Sequence, residues 1–327
     1  MKAALYRAYG SAADTLRIEE IDRPEPGPGQ VRVRMQLSGV NPTDWKSRSG
    51  STPRPFEGFQ VPHHDGTGVI DAVGPGVDAD RVGERVWTWL AAAGNPWGTA
   101  AQWSVLPSRQ AVLLPYGASA ELGASLGVPA MTAHRALFAD GPVEGSNVLV
   151  AGGAGAVGHY AIELAKFAGA RVATTVSGPA KAELAAKAGA DLVVNYRDAG
   201  AADQLRAFAP RMDRIVELAL GTNLDLDLAV SGPDTHIVDY AAEATDPVLP
   251  VRRCMNANVT LRFILMYGIP AAAADEAVAE ISRALQAGAL TELPVTRFGL
   301  DQVAAAHDVV EAGAVGKVLV EIPEQDL

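Results

Sequence analysis

The stretch from Asn147 to Ala168 constrains this chain more than any other. Val148-Leu-Val150 is short, apolar and β-branched, as a buried strand is. Ala151-Gly-Gly-Ala-Gly-Ala-Val-Gly158 follows as a turn, and residues 159–168 place Ile162, Leu164, Ala165 and Phe167 where a helix can pack them. Gly153, Gly155 and Gly158 form G-x-G-x-x-G, with Ala156 and Val157 in the variable positions. In a strand–turn–helix unit the first glycine permits the tight turn, the second lets a diphosphate approach the backbone, and the third lets helix and strand touch. The helix N-terminus adds unpaired N–H donors. Alone, such a motif is weak evidence in an Ala- and Gly-rich chain. The strand before it, the helix after it and a second strand at 171–176 make it a dinucleotide-binding turn.

Around this unit the texture changes twice. Residues 2–115 give short strand-like runs at 30–37, 67–73 and 85–89, broken by Gly and Pro, which predicts a small β-barrel. The Pro-rich run at 24–29 reads as a plain turn. After Gly117, Ala-rich helical stretches alternate with β-branched runs at 147–150, 171–176, 192–194, 214–216 and 235–239. That alternation predicts a parallel, doubly wound sheet. The tail reads as helices at 271–287 and 301–311 and a closing strand at 317–322 that rejoins the first domain. A chain of 327 residues is too long for one ordinary core. We therefore expect one discontinuous domain, 1–123 with 268–327, and a second at 124–267.

Charge and cysteine use narrow the partners. A net charge of -11 opposes binding to a phosphate backbone, so nucleic acid is excluded as a main partner. The single cysteine, Cys254, can form neither an internal disulfide nor a thiolate cluster, which points to a reducing, cytoplasmic setting. Residues 1–7 lack the apolar core of a secretion signal, and no run approaches the roughly 20 apolar residues of a membrane span. A soluble protein with no membrane partner is expected.

The end of the second strand addresses which dinucleotide binds. An NAD site places Asp or Glu there on the ribose hydroxyls. Here the run is Thr174-Thr-Val-Ser-Gly-Pro-Ala-Lys181, with no carboxylate to repel a 2′-phosphate. Ser177 can donate to that phosphate and Lys181 can neutralise it, so NADPH is the predicted cofactor. The plainer alternative makes Ser177 a helix cap and Lys181 a solvated helix residue.

At this point the chain resembles the medium-chain dehydrogenase/reductase superfamily, in its zinc-free quinone oxidoreductase (zeta-crystallin-like) branch. The resemblance is carried by Ser38-Gly-Val-Asn-Pro-Thr-Asp-Trp-Lys46, Asp65-Gly-Thr-Gly-Val-Ile-Asp-Ala-Val-Gly74, Val82-Gly-Glu-Arg-Val86, the glycine turn, Val194-Asn-Tyr-Arg197, Ala305-Ala-His307 and Gly316-Lys-Val-Leu-Val320. It implies an α/β protein with a GroES-like β-barrel catalytic domain and a Rossmann domain, NADPH in the cleft between them, and a homodimer or homotetramer. By position, it implies that Lys181 and Tyr196 flank the adenosine 2′-phosphate, that residues 155–158 cradle the pyrophosphate, and that Asn41 and Thr132 lie near the nicotinamide. Ala241 and Phe263 fall in segments that cover the cofactor from the far side. Tyr196 also reads simply as a strand-end aromatic.

The zinc enzymes of the same superfamily offer a sharp comparison. Their two catalytic cysteine positions fall at Asn41 and near Val128, their histidine at His64 and their glutamate at Asp65. Both thiolates are gone, and the four-cysteine structural loop is absent, so no metal is expected. Without a Lewis acid, reduction of a simple ketone to an alkoxide is difficult. Hydride added to a quinone or an enone instead leaves a phenolate or a delocalised enolate, which water can protonate.

The predicted reaction is therefore direct hydride transfer to a conjugated acceptor, most simply a quinone, with catalysis chiefly by positioning and no obligatory acid. Pocket candidates are Asn41, as an orienting amide, Thr43 and His64, as donors, and Trp45 and Tyr240, as flat walls. All but Asn41 read equally well as ordinary residues of a domain seam. Reduction of enones or enals in a biosynthetic or detoxification pathway is an alternative within the same chemistry. A reading of another class is an NADPH-binding sensor or scaffold with little turnover. His63-His64 and the loop Ala93-Gly-Asn-Pro-Trp-Gly98 depart from the family pattern and bear on the substrate pocket.

Overall fold

The computed structural model describes residues 1–243 and 245–324. The chain divides into two compact units, one made of residues 1–128 with those from Glu292 onward, the other of residues 129–291. Strands of the first unit are β1 (Lys2–Leu5), β2 (Arg17–Glu20), β3 (Gln30–Val40), β4 (Asp65–Val73), β5 (Arg85–Thr88), β6 (Trp103–Pro107) and β7 (Ala111–Leu113). The second unit holds β8 (Asn147–Ala151), β9 (Arg171–Val176), β10 (Leu192–Asn195), β11 (Arg214–Glu217), β12 (His236–Asp239) and β13 (Thr260–Phe263). The chain then returns to the first unit with β14 (Val295–Gly299) and β15 (Lys317–Glu321).

In the first unit the sheet order is β14-β15-β3-β4-β5-β7, with β6 also pairing β3. Two register shifts in the β3–β4 ladder, at Arg32/Val33 and Met35/Leu37, bend the sheet as barrel strands require. Its core is aliphatic, built on Leu5, Val31, Val33, Ile70, Val86, Leu106, Val318 and Val320. The closing strand pairs antiparallel with β3.

A polar chain runs through this core. The Thr99 hydroxyl donates to the Asp65 carbonyl at 2.6 Å and so accepts from Ser38 Oγ at 2.7 Å. Ser38 Oγ in turn accepts from His63 Nδ1 at 2.7 Å, which leaves His63 Nε2 bare to accept from His307 Nε2 at 2.9 Å. The order of donors thus sets both tautomers, since a neutral imidazole has one donor and one acceptor. His63 adopts a left-handed backbone, φ 75°, to enter the chain.

The second unit has six parallel strands in the order β10-β9-β8-β11-β12-β13. Strand order reverses between β8 and β11, and ligands of such sheets bind beyond the carboxyl ends of the strands at that point. The glycine turn leaves β8 there. The expected return to the barrel near residue 268 falls instead after Thr291. The helix Ala271–Gln286 buries Ala274, Ala277, Ile281, Ala284 and Leu285, and it packs on the helix Ala156–Phe167 of its own unit. The first crossing lies at Val128–Pro129, inside the helix Ala120–Phe138, where Pro129 supplies no N–H to the helical ladder.

Burial holds His307 neutral, aided by the Arg48 charge, and its pKa drops to about 3. Burial and the adjacent His307 likewise push His63 well below its ordinary value. A histidine of the unfolded chain binds its proton near pH 6.5, so the native state holds fewer protons and loses stability as pH falls through 6.5. His307→Gln, which keeps an N–H for His63, is expected to destabilise at pH 7.5. Between pH 6 and 4 it should gain on the parent by about 1.4 kcal/mol per pH unit. Urea unfolding of both proteins across that range checks this, and parallel curves would refute it.

Candidate functional site

The glycine turn is built as its sequence requires. Gly152 takes a left-handed φ of 67°. A Cβ on Gly153 would meet Thr174 Oγ1 at 2.1 Å, and one on Gly158 would meet the Gly152 carbonyl at 2.3 Å, so both are required by the protein's own packing. Gly155 differs. It is the N-cap of the helix Ala156–Phe167 at φ -79°, ψ 162°, and a Cβ there would find only the Gly152 carbonyl at 3.4 Å. The space before Gly155, Ala156 and Val157 is therefore open to a ligand.

At the end of β9, Arg197 Nη1 donates to the Ser177 carbonyl at 3.3 Å and its guanidinium lies 5.7 Å from the Tyr196 ring centre. The Tyr196 N–H is tied to the Val176 carbonyl at 3.2 Å, and the residue is 39% exposed. The structure thus brings Ser177, Tyr196 and Arg197 together, with Lys181 in the first turn of the helix Pro179–Lys187. In the sequence Arg197 stands out only as the last residue of the run Val194-Asn-Tyr-Arg197. Its signal was its place directly after the strand-end Tyr196.

Beyond β11 and β12 the same edge is acidic. Glu217 Oε1 accepts from the Leu218 and Ala219 N–H groups, both at 2.6 Å, and from Asn223 Nδ2 at 2.9 Å. Burial and the adjacent Glu217 push the Asp227 carboxyl well above its ordinary range. Burial thus favours the protonated form of Asp227. Asp239, next to Glu217 across the ladder, is raised to about 6 by burial and accepts from the Ala241 N–H at 3.3 Å. Tyr240 is half-buried, and burial followed by Glu217 keeps its phenol protonated. Thr132 is buried in its helix, whereas Phe263, on the outer strand β13, is 63% exposed.

In the first unit, strand register assembles the second cluster. Asp65 pairs with Gly39, and Val318 pairs with Val40, so Asn41, Asp65 and Lys317 meet at one end of β15, β3 and β4. Lys317 Nζ donates to Asn41 Oδ1 at 2.7 Å and to Asp65 Oδ2 at 3.0 Å. Asn41 Nδ2 donates to the same Asp65 oxygen at 2.7 Å, and the Val128 N–H takes the other at 2.7 Å. Asn41 also caps the helix Pro42–Ser49, with its own N–H bonded to Asp44 Oδ2 at 2.7 Å. Lys317 carried no expected role, because its motif reads only as a strand.

Beside this ring, Arg54 donates to His64 Nε2 at 3.3 Å and to Thr43 Oγ1 at 3.2 Å. A guanidinium only donates, so Nε2 is the bare nitrogen. Burial and that positive charge lower the His64 pKa to about 3. In this geometry His64 Nε2 is an acceptor, and the ring proton lies on Nδ1. Trp45 is half-buried, with Lys46 Nζ 5.9 Å from its ring centre. Asp44 is buried and raised to about 7, first by burial and then by Asp65. A cavity of about 50 Å³ is lined by Tyr6, Asp44, Arg54, His63, His64 and Asn95. The histidine pair and the loop 93–98, the two unusual segments, therefore shape one pocket.

This donor set does not fit a zinc ion. Position 41 offers an amide already bonded to an ammonium, Val128 offers only an alkyl chain and a committed N–H, and His64 Nε2 faces a guanidinium.

Residues 27–116 match the family model of the alcohol dehydrogenase GroES-like domain, and residues 156–283 that of the zinc-binding dehydrogenase. The human quinone oxidoreductase is 26% identical over 324 residues, covering 98% of this chain and 97% of its own. The chloroplastic quinone-oxidoreductase homolog of Spinacia oleracea is 32% identical over 231 residues, 68% of this chain and 69% of its own. A mycobacterial protein solved in complex with NADPH superposes with a TM-score of 0.84 at 30% identity, covering 98% of this chain and 100% of that one. The chain belongs to the medium-chain dehydrogenase/reductase superfamily, in its quinone oxidoreductase branch, and is an oxidoreductase with a GroES-like barrel and a Rossmann-like sheet.

Two variants test these assignments. Gly155→Ala should melt within a few degrees of the parent, because nothing in the fold opposes its Cβ, yet weaken nicotinamide dinucleotide binding about tenfold or more. Intrinsic-fluorescence titration reads this, and unchanged binding would remove Gly155 from the cradle. Asp227→Asn keeps an N–H toward Glu217 and abolishes the ionisation that burial opposes. A raised folded pKa means that the parent loses stability as pH rises above about 4. The variant's advantage in melting temperature should therefore be larger at pH 8 than at pH 5, and a constant offset would contradict the raised Asp227 carboxyl.

Proposed function

We propose that the protein is an NADPH-dependent, zinc-independent reductase that delivers hydride to a conjugated acceptor, most simply a quinone. The observation that carries this reading is the Lys317 ammonium seated between Asn41 and Asp65, where a metal-dependent reduction of a simple carbonyl would need thiolates. NADPH, when bound, supplies the hydride. Gly155 to Gly158 hold its pyrophosphate, and Ser177, Lys181, Tyr196 and Arg197 hold its 2′-phosphate, with no carboxylate among them to repel it.

In the first unit Asn41 orients the acceptor oxygen. The product anion is a phenolate or an enolate, and a phenol ionises near pKa ~10, so water suffices to protonate it. No side chain is required as an acid, which agrees with a neutral His64. A conjugated acceptor thus matches what these residues supply.

A second copy of this chain is the proposed partner. β13 is the outer strand of its sheet, and Val251, Met255, Phe263 and Leu265 around it are each more than 60% exposed. An unpaired strand edge bordered by apolar side chains suits pairing with its own counterpart. No helix among the described residues is long and apolar enough to cross a membrane.

Oxidation of NADPH and NADH should be followed across benzoquinones, naphthoquinones, enones and enals. The expected result is turnover of quinones with NADPH preferred. Lys181→Glu and Arg197→Glu should each raise KM for NADPH by about tenfold or more while leaving NADH nearly untouched. Preference for NADH in the parent would overturn the cofactor assignment. Turnover confined to enals would replace the quinone, and tight NADPH binding without turnover would favour a sensor.

A further inference from the structure

Lys317 has an almost wholly buried side chain, 1% exposed, beside an Asp65 that is 0% exposed. Stripping water from two charges costs several kcal/mol per ion, and apolar residues of the same volume often serve stability as well. The barrel nevertheless makes room for the pair. A Cβ on Gly127 would lie 2.0 Å from Asp65 Oδ1, and one on Gly39 would lie 2.9 Å from Lys317 Cε. Two glycines thus form a cradle that no other residue fits.

The pair determines how the Asn41 amide faces. An ammonium has no acceptor and a carboxylate no donor, so Oδ1 must face Lys317 and Nδ2 must face Asp65. Asp65 cannot swing away, since the Val128 N–H holds its other oxygen. Asn41 cannot slide, since it caps the helix Pro42–Ser49 through Asp44. One Nδ2 hydrogen is spent on Asp65. The other has no partner among the described residues.

We propose that Lys317 and Asp65 are positioning residues that hold the Asn41 carboxamide so that its second Nδ2 hydrogen donates to the acceptor oxygen as negative charge develops there. This rests on the reading that the acceptor is a conjugated carbonyl. The ammonium polarises the amide through Oδ1, which strengthens the N–H as a donor. Asn41 touches the acceptor, whereas Lys317 and Asp65 act only through Asn41.

A double-mutant cycle in the full chain tests the idea, with NADPH and 1,4-naphthoquinone. Lys317→Met/Asp65→Asn removes both charges together, so the variant remains foldable. It should lose kcat by about tenfold to a hundredfold, with the NADPH dissociation constant within about twofold of the parent. Asn41→Ala should lose as much. With Asn41→Ala already present, the charge-removing pair should cost less than about twofold more, because there is no amide left to orient. Lys317→Arg, which keeps a cation, should recover most of kcat. The same loss with and without the amide would show a merely structural pair and overturn the proposal.

A second measurement needs no turnover. In the 15N–1H spectrum the two Asn41 side-chain amide protons, identified by their loss in Asn41→Ala, should be widely separated, and the charge-removing pair should collapse that separation. Unmoved signals would overturn the positioning role even in a protein that reduces quinones. Moved signals in a protein that reduces none would sustain the positioning and discard the quinone.

Discussion

A lysine ammonium sealed inside a barrel has to be answered by everything around it. Its hydration is lost on folding, and only complete hydrogen bonding to a carboxylate and an amide returns that cost. Lys317 finds both, but from distant parts of the chain, for Asp65 lies 252 residues away and Asn41 lies 276 away. The site begun by β3 and β4 is therefore incomplete until β15 returns to pair with β3. Asp65 also accepts from Thr99 through its carbonyl, which opens the Ser38–His63–His307 chain. One carboxylate residue thus ties the ammonium, the helix cap and the buried histidines together, and displacing it would unseat all three.

The second unit solves the opposite problem. On the proposed reading, a chain of net charge -11 would have to receive a polyanion at one edge of a sheet. That edge carries Glu217, Asp227 and Asp239, whose full ionisation would repel a phosphate. Burial pushes Asp227 toward its neutral form, and Glu217 accepts from the N–H groups that open the following helix. Asp239 titrates near 6 rather than 4. The positive counterpart sits at the other strands, with Arg197 beside Ser177 and Lys181 one helix turn on.

What could be read from the sequence was what local order encodes. The doubly wound sheet follows from strands and helices that alternate within a few tens of residues, and the glycine turn from three closely spaced glycines between β8 and the next helix. Helix 271–286 belongs to the second unit rather than to the barrel, a difference hidden in the sequence because its apolar stripe announces that it packs, not on what. Lys317 was passed over for a related reason. In Gly316-Lys-Val-Leu-Val320 it alternates like any strand residue, and the two groups that explain it sit near the start of the chain. Arg197 and the Asp227 proton escaped similarly, since each acquires meaning only from a neighbour supplied by another strand or helix.

The charge inventory around Asn41 bears on the chemistry it can assist. Lys317 and Asp65 cancel, His64 is held neutral under Arg54, and Asp44 is raised to about 7 by burial beside Asp65. What remains is a neutral amide donor in surroundings that do not repel an oxyanion. An amide of this kind stabilises a delocalised phenolate or enolate well and a localised alkoxide poorly, because the alkoxide is a far stronger base that calls for a metal or a proton in flight. On the proposed reading, a quinone or enone would keep the developing charge within the range that Asn41 can manage, so the absence of thiolate ligands and the proposed acceptor would follow from one electrostatic arrangement.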